Sequence, residues 1–278
     1  MDNEVFSLSV QFLTGSCVDF DFNKKTSGEE LLSRSKEFHG IKQYPNFGLQ
    51  LESGVWLAKE KTIERQLKRE YGSLRNSQFV ARLRIRFWPR NTEKCSAADF
   101  QSCLFAQMKS DIASERLVLT DKERKDVIVK MGALQLQIDH GDMPGENYLF
   151  NDQAFIEKVI NYHRKYRGMG RKEAMEKFLA LGQQLTYYGV ETFPVQMNSS
   201  NFFLGLHCHG YYLWTSDEYK TTKCARFFKW NKIKEFRYRE KNFFIKFKKN
   251  VELPHQTFQF ASFTRGTYFY EFRNKACF

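Results

Sequence analysis

Phe6, Leu8, Val10 and Phe12 alternate with small or polar residues, and Thr14-Gly15-Ser16 supplies a turn. Val18, Phe20 and Phe22 then share one face of the next segment. A period of two predicts a pair of antiparallel strands. Ser27-Gly28-Glu29-Glu30 reads as a capping box, with Leu31, Leu32, Ser35 and Phe38 following at helical spacing up to Gly40. Phe47-Gly48-Leu49-Gln50-Leu51 and Val55-Trp56-Leu57 are short apolar pieces that suit edge strands. Next, Ala81-Arg82-Leu83-Arg84-Ile85-Arg86-Phe87-Trp88 alternates until Pro89 stops it, and is expected to introduce a helical region.

In that region Phe100, Leu104, Met108 and Ile112 recur every four residues. Thr120-Asp121-Lys122-Glu123 is a second capping box, ahead of Val127, Met131, Leu134 and Ile138, with Gly141 as the stop. Asp152 is placed to cap a helix carrying Phe155, Ile156, Val159 and Ile160. A last helix is expected over Ala174, Phe178, Leu181 and Leu185 to Tyr188, ended by Gly189. Four such amphipathic stripes make a bundle. From about Val190 strands return, with six candidates at 202–206, 211–214, 227–230, 233–238, 243–247 and 258–260. Helical spacing follows over Tyr268, Phe269, Phe272 and Ala276. A small sandwich or barrel closed by one helix fits this order, within an α+β chain.

At 278 residues the chain exceeds the size at which one core keeps growing, and its aromatic content of 16% is ample for several cores. No run of 18 apolar residues and no basic n-region after Met1 are present, so a soluble, cytosolic chain is expected. Six scattered cysteines without a CxxC pair are expected as free buried thiols. Charge changes the picture most. Residues 220–249 hold twelve Lys or Arg against two acids, ten of the twelve net positive charges of the chain. In Phe236-Arg237-Tyr238-Arg239-Glu240-Lys241, alternation sends Phe236 and Tyr238 to a core and the cations outward. Phe243, Ile245 and Phe247 likewise oppose Phe244, Lys246 and Lys248. Such a face attracts phosphoinositide head groups, nucleic acid or acidic peptides, unless it merely aids solubility.

Six motifs in order resemble the FERM (ezrin–radixin–moesin) family. They are Leu83-Arg84-Ile85-Arg86-Phe87; Gln107 to Ile112 as Q-x-K-x-D-I; Gln137-Ile138-Asp139-His140-Gly141-Asp142 as Q-x-x-x-G-D; Leu185 to Val190 as L-x-x-Y-G-V; Trp230-Asn231-Lys232-Ile233; and Lys241-Asn242-Phe243-Phe244-Ile245. The stretch from Trp56-Leu57 to Gln66-Leu67-Lys68-Arg69 is most similar to FERM modules of non-receptor tyrosine phosphatases. The resemblance implies three lobes: a ubiquitin-like roll (1–80), an acyl-CoA-binding-protein-like helical bundle (81–190) and a PH/PTB-like sandwich with a C-terminal helix (191–278). Family members close with a Trp-Lys and a His-His-x-Phe-Phe run, which Glu271 to Phe278 does not match.

The family implies a non-catalytic adapter at the cell cortex, joining an anionic, phosphoinositide-bearing membrane to membrane-protein tails and cytoskeletal partners. An alternative is the targeting module of a longer tyrosine phosphatase. Relatives bind inositol phosphate between the first and third lobes, which carries over to Lys61 and Lys241 with Lys59, Lys68, Arg69, Arg239 and Lys246 as neighbours. Ala58 stands where ezrin-type relatives have a lysine. A peptide groove at a sheet edge is expected to be bordered by Phe243, Ile245, Phe247, Tyr268 and Phe272. No phosphate loop, Rossmann glycines, H-E-x-x-H, G-x-S-x-G or phosphatase Cys-Arg loop occurs, so no enzyme and no cofactor is expected. His207-Cys208-His209 lacks further ligands at zinc spacing. Nucleic acid is disfavoured because the strand aromatics alternate away from the cations and no RNP-type pattern appears.

Overall fold

The computed structural model describes residues 5–74, 78–89, 98–142, 153–220, 225–239, 242–249 and 256–260. The chain divides into two compact units, Met1–Lys109 and Ser110–Phe278.

In the first unit β1 (Phe6–Gln11), β2 (Cys17–Phe22), β3 (Phe47–Leu51) and β4 (Phe79–Ile85) form one sheet in the order β2-β1-β4-β3. The period of two decides its buried side, where Leu8, Val10, Phe20, Phe22, Leu49, Ala81, Leu83 and Ile85 are buried. Helix α1 (Gly28–Phe38) starts where the Ser27 hydroxyl accepts from the Glu30 N–H, and it buries Leu31, Leu32 and Ser35. Phe38, expected in that stripe, is 63% exposed and stacks on Phe12 from outside. Two further expectations are corrected. Val55-Trp56-Leu57 is no strand but a single bridge, Gln50 to Trp56. β4, which precedes the helices in the chain as expected, belongs to the first sheet rather than to the helical region, parallel to β1 and antiparallel to β3. A helix the pattern did not reveal, α2 (Ile63–Tyr71), buries Ile63 and Leu67.

Helix α3 (Ala98–Ala113) buries Phe100, Leu104, Met108 and Ile112 as its four-residue period demands. Within the first unit its Gln107 amide continues β4: the Ile85 N–H donates to Oε1 at 2.6 Å and Nε2 donates to the Ile85 carbonyl at 2.9 Å. In the second unit, α4 (Asp121–His140) opens with the full capping box of Thr120 and Glu123. The other Glu123 oxygen accepts from the Thr186 N–H at 2.6 Å, fastening the L-x-x-Y-G-V turn to the start of α4. Helix α5 (Gln153–Lys165) packs on α4 through Val129, Ala133, Leu136 and Val159, and α6 (Arg171–Gln183), which buries Ala174, Met175, Phe178 and Leu179, also lies against α4. The proposed cap Asp152 lies outside the described residues. α6 stops at Gln183 rather than Tyr188, because 184–189 coil into successive turns whose Tyr187 and Tyr188 are buried.

The second sheet contains β5 (Glu191–Met197), β6 (Ser200–His207), β7 (Gly210–Thr215), β8 (Arg226–Lys229), β9 (Ile233–Arg239), β10 (Asn242–Phe247) and β11 (Gln256–Phe260). Their order is β8-β7-β6-β5-β11-β10-β9. The sheet curls over itself, so that Tyr211 of β7 donates to Gln256 of β11 at 2.6 Å and Phe228 of β8 meets Phe247 of β10. A short helix α7 (Ser216–Lys220) follows β7. Fully buried Trp214 fills space that Gly205 leaves open, since a Cβ there would lie 2.6 Å from its ring. The expected closing helix lies outside the described residues.

Candidate functional site

Strands β9 and β10 pair antiparallel, with Arg239 opposite Asn242, Arg237 opposite Phe244 and Glu235 opposite Lys246. Phe236, Phe243, Ile245 and Phe247 point inward and are buried. The outward set is therefore Arg237, Arg239, Phe244 and Lys246, all exposed, with Glu235 beside them. Arg237 donates to Glu235 at 2.6 Å, and this hydrogen bond holds the Glu235 carboxyl below its ordinary range. One acid thus answers three cations on this face. Lys234 is an extra residue in β9, since Phe247 pairs with Ile233 and Lys246 with Glu235. Where β10 ends, the Lys248 N–H donates to the Lys232 carbonyl, setting exposed Lys232, Lys248 and Lys249 at one margin. Phe244 is 38% exposed among these cations, so the face is both basic and aromatic.

The first unit carries the other expected bases. The turn 58–61 is clamped by Gln66: the Ala58 N–H donates to its Oε1 at 2.6 Å, and its Nε2 donates to the carbonyls of Ala58 and Lys61, each at 3.0 Å. The N–H groups of Gly28 and Glu29 donate to the carbonyls of Lys61 and Lys59. Gly28 is required for this approach, because a Cβ would lie 2.2 Å from the Ala58 carbonyl oxygen. Lys59 is paired with Glu29 at 2.9 Å and Lys68 with Glu64 at 2.7 Å. Burial, then the neighbouring Lys59 charge, lowers the Lys36 ammonium below its usual value, while Glu29 opposes the shift. Arg69 lies on exposed α2 surface beside Lys68. The clamping role of Gln66 is invisible in the sequence because its partners are main-chain groups of the turn, which no residue pattern marks.

Lys59, Lys61, Lys68 and Arg69 are thus brought together in one unit, and Arg239 and Lys246 share the strand face of the other. Lys241, Tyr268 and Phe272 lie outside the described residues. The peptide-groove expectation needs correction. Phe243, Ile245 and Phe247 are core residues, at most 3% exposed, and β10 is flanked by β9 and β11. Among the described residues the edges of this sheet are β8 and β9. The cysteines are not all buried. Cys17 is exposed and Cys208 half-buried, while Cys103 is buried and its thiol is pushed up to about 11 by burial. Among the described residues no three His, Cys, Asp or Glu side chains gather as a metal site, and no helix is long and apolar enough to cross a membrane.

Three family models match successive parts of the chain: the FERM N-terminal domain over residues 10–69, the FERM central domain over 91–193 and the FERM C-terminal PH-like domain over 196–270. The chain belongs to the FERM family. Among curated relatives, this FERM chain is 27% identical over 253 residues to mouse Band 4.1-like protein 2, covering 85% of the chain and 24% of that protein. It is 24% identical over 267 residues to mouse FERM, ARHGEF and pleckstrin domain-containing protein 2, covering 92% and 24%. It therefore spans about a quarter of the length of these relatives. The FERM fold is shared with the Drosophila Merlin FERM and C-terminal domain complex at a TM-score of 0.69, 20% identity and coverage of 97% and 98%. A mutant of the Dictyostelium discoideum myosin VII MyTH4-FERM MF2 domain gives a TM-score of 0.75 at 15% identity, covering 97% of this chain and 60% of that one.

Proposed function

We propose that this FERM chain is a non-catalytic adapter that docks on an anionic, phosphoinositide-bearing membrane at the cell cortex and joins membrane-protein tails to cytoskeletal or signalling partners. The observation that carries this reading is the outward face of β9 and β10, where Arg237, Arg239 and Lys246 surround an exposed Phe244. Each Lys or Arg held near an anionic leaflet contributes roughly 1 kcal/mol, and an aromatic ring favours the head-group boundary. The family membership supports the same reading, as does the similarity to Band 4.1-like protein 2. Lys59, Lys61, Lys68 and Arg69 in the first unit and Lys241 beyond the described residues belong to the proposal as further lipid-facing bases. Among the four in the first unit, Lys61 is the base to weigh most, since Lys59 and Lys68 already have carboxylate partners.

The test is co-sedimentation with phosphatidylcholine vesicles, with and without phosphatidylinositol bisphosphate. Lipid-dependent pelleting of the wild type, weakened in Arg239→Gln/Lys246→Gln and in Lys61→Glu/Lys241→Glu, is expected. Pelleting that ignores the strand substitutions would remove the strand face from the reading, and no pelleting at all would remove the membrane.

A further inference from the structure

The helical lobe holds a second concentration of positive charge. The segment 163–172, His-Arg-Lys-Tyr-Arg-Gly-Met-Gly-Arg-Lys, contains five Lys or Arg and no acid. It forms the corner between α5 and α6, and Arg164, Lys165, Arg167, Arg171 and Lys172 are all exposed. None of the five forms an ion pair among the described residues. Arg164 reaches only the Asn161 amide, and the Lys165 ammonium sits 4.6 Å from the Tyr162 ring centre. The acids beside it are engaged elsewhere: Glu173, next in the chain, pairs with Lys177 at 2.9 Å, and Asp142 accepts from Gln137 at 2.9 Å and from the Gly168 N–H at 2.8 Å, feeling Arg167 only as a neighbouring charge.

Two features separate this corner from ordinary surface charge. First, its backbone is fixed. Besides Gly168 on Asp142, the Met169 carbonyl accepts from Gln137 at 2.9 Å and His163 Nε2 lies 2.9 Å from the Gly141 carbonyl, so the end of α4 holds the corner in place. Second, Arg171 and Lys172 occupy the first turn of α6, preceded by Gly170 with no side-chain cap. Cations there oppose the positive end of the helix dipole, where acidic residues are favoured. Helix stability does not account for them.

We infer that the α5–α6 corner is a second docking surface for a negatively charged bilayer, separate from the strand face. A protein partner would be anchored by apolar side chains at the centre of its contact. The large hydrophobic residues exposed among those described are Val5, Phe38, Tyr71, Phe227 and Phe244, and none belongs to the corner. Tyr166 and Met169 are half-buried. A leaflet of anionic lipid is held by accumulated charge alone and needs no groove or apolar anchor. The inference rests on the membrane reading above and adds a contact that the strand residues do not supply.

The experiment compares partition of the full chain onto vesicles of phosphatidylcholine alone and with roughly a third phosphatidylserine. It uses wild type, the corner variant Arg164→Gln/Arg171→Gln/Lys172→Gln and the strand variant Arg239→Gln/Lys246→Gln. Since one cation is worth about five-fold in partition, the corner variant should lose on the order of ten- to a hundredfold on the acidic vesicles, and the strand variant should retain corner-dependent binding. Arg171→Gln/Lys172→Gln alone should lower partition with an equal or higher Tm, which a purely structural role does not produce. An unchanged corner variant beside a weakened strand variant would overturn this inference and leave the membrane reading standing. Wild type that ignores acidic vesicles would overturn both. Tighter corner-dependent binding to a single-stranded RNA oligomer than to vesicles at equal ionic strength would also overturn it.

Discussion

Strands β4 and β9 carry the same alternation of basic and apolar residues, and the fold treats them oppositely. In β4 and just beyond it, Arg84 and Arg86 are 7% and 5% exposed, and the Arg86 guanidinium lies over the rings of Trp56 and Phe87. In β9 the Arg237 side chain is 74% exposed. The difference lies in what covers the outer face. Beyond half-buried Val80 and Arg82, the outer side of β4 is covered at its end, where Arg84 and Arg86 are buried and the Trp56 and Phe87 rings lie against Arg86. Among the described residues β9 is the last strand of its sheet, and its outward Arg237 and Arg239 are exposed. Alternation therefore assigns a side to each residue, while whatever packs on that side decides whether it meets water, as the exposed Lys246 of the inner strand β10 shows.

The contrast is broken most severely by charge reversal. Arg86→Glu should cost about 3–5 kcal/mol in denaturant unfolding by burying an anion where a cation is accommodated, whereas Arg237→Glu should stay within about 0.5 kcal/mol. If both were equally tolerated, the burial of β4 would not matter as argued. Gln107→Leu comes next. It leaves the Ile85 N–H and carbonyl buried without partners and should lower stability by about 3 kcal/mol, with faster amide exchange at Ile85 as a local readout. Gly28→Ala forces the turn bearing Lys59 and Lys61 away from α1 and should cost about 2 kcal/mol. Amide chemical shifts at 58–61 should move with it.

The smallest effect concerns acid. The hydrogen bond from Gln137, then that from Gly168, holds the Asp142 carboxyl below its ordinary 3.8. A lowered folded value means its contribution is complete above the ordinary value and fades as pH falls through that value toward the folded one. Thermal unfolding of wild type and Asp142→Asn should therefore differ near neutrality and converge as the pH is taken progressively below the ordinary 3.8. A gap that stayed constant into acid would show that the carboxylate is not the source.

Where the pattern repeats often enough, the sequence was sufficient. The Thr120 box, the stripe of α3 and the inward and outward sides of β10 all stand as expected, whereas α4 is buried all round from Met131 to Ile138 and leaves Val127 half-buried. α2 escaped notice because only Ile63 and Leu67 are apolar within a charged segment, too few to show a period. β5 was hidden by Pro194, which normally argues against an inner strand, although Phe193 and Val195 flank it and are buried. Assigning Phe243 to Phe247 to a sheet edge failed for a deeper reason. Strand order is set by pairing across long stretches of chain, and no local pattern records which neighbours a strand acquires. The basic corner was overlooked because its charges straddle a helix end, turn and helix start.

The extra residue Lys234 has a consequence for behaviour at high concentration. An open strand margin is a template on which a second copy can add its own backbone, the first step toward aggregates. In β9 the ladder slips between Glu235 and Ile233, and the residue inserted there is a lysine. A bulge interrupts the regular row of donors and acceptors and turns the margin, and the charge repels an identical copy. Straightening β9 by deleting Lys234 would offer neighbouring molecules a longer uninterrupted ladder, so self-association is the weakness that this one-residue irregularity guards against.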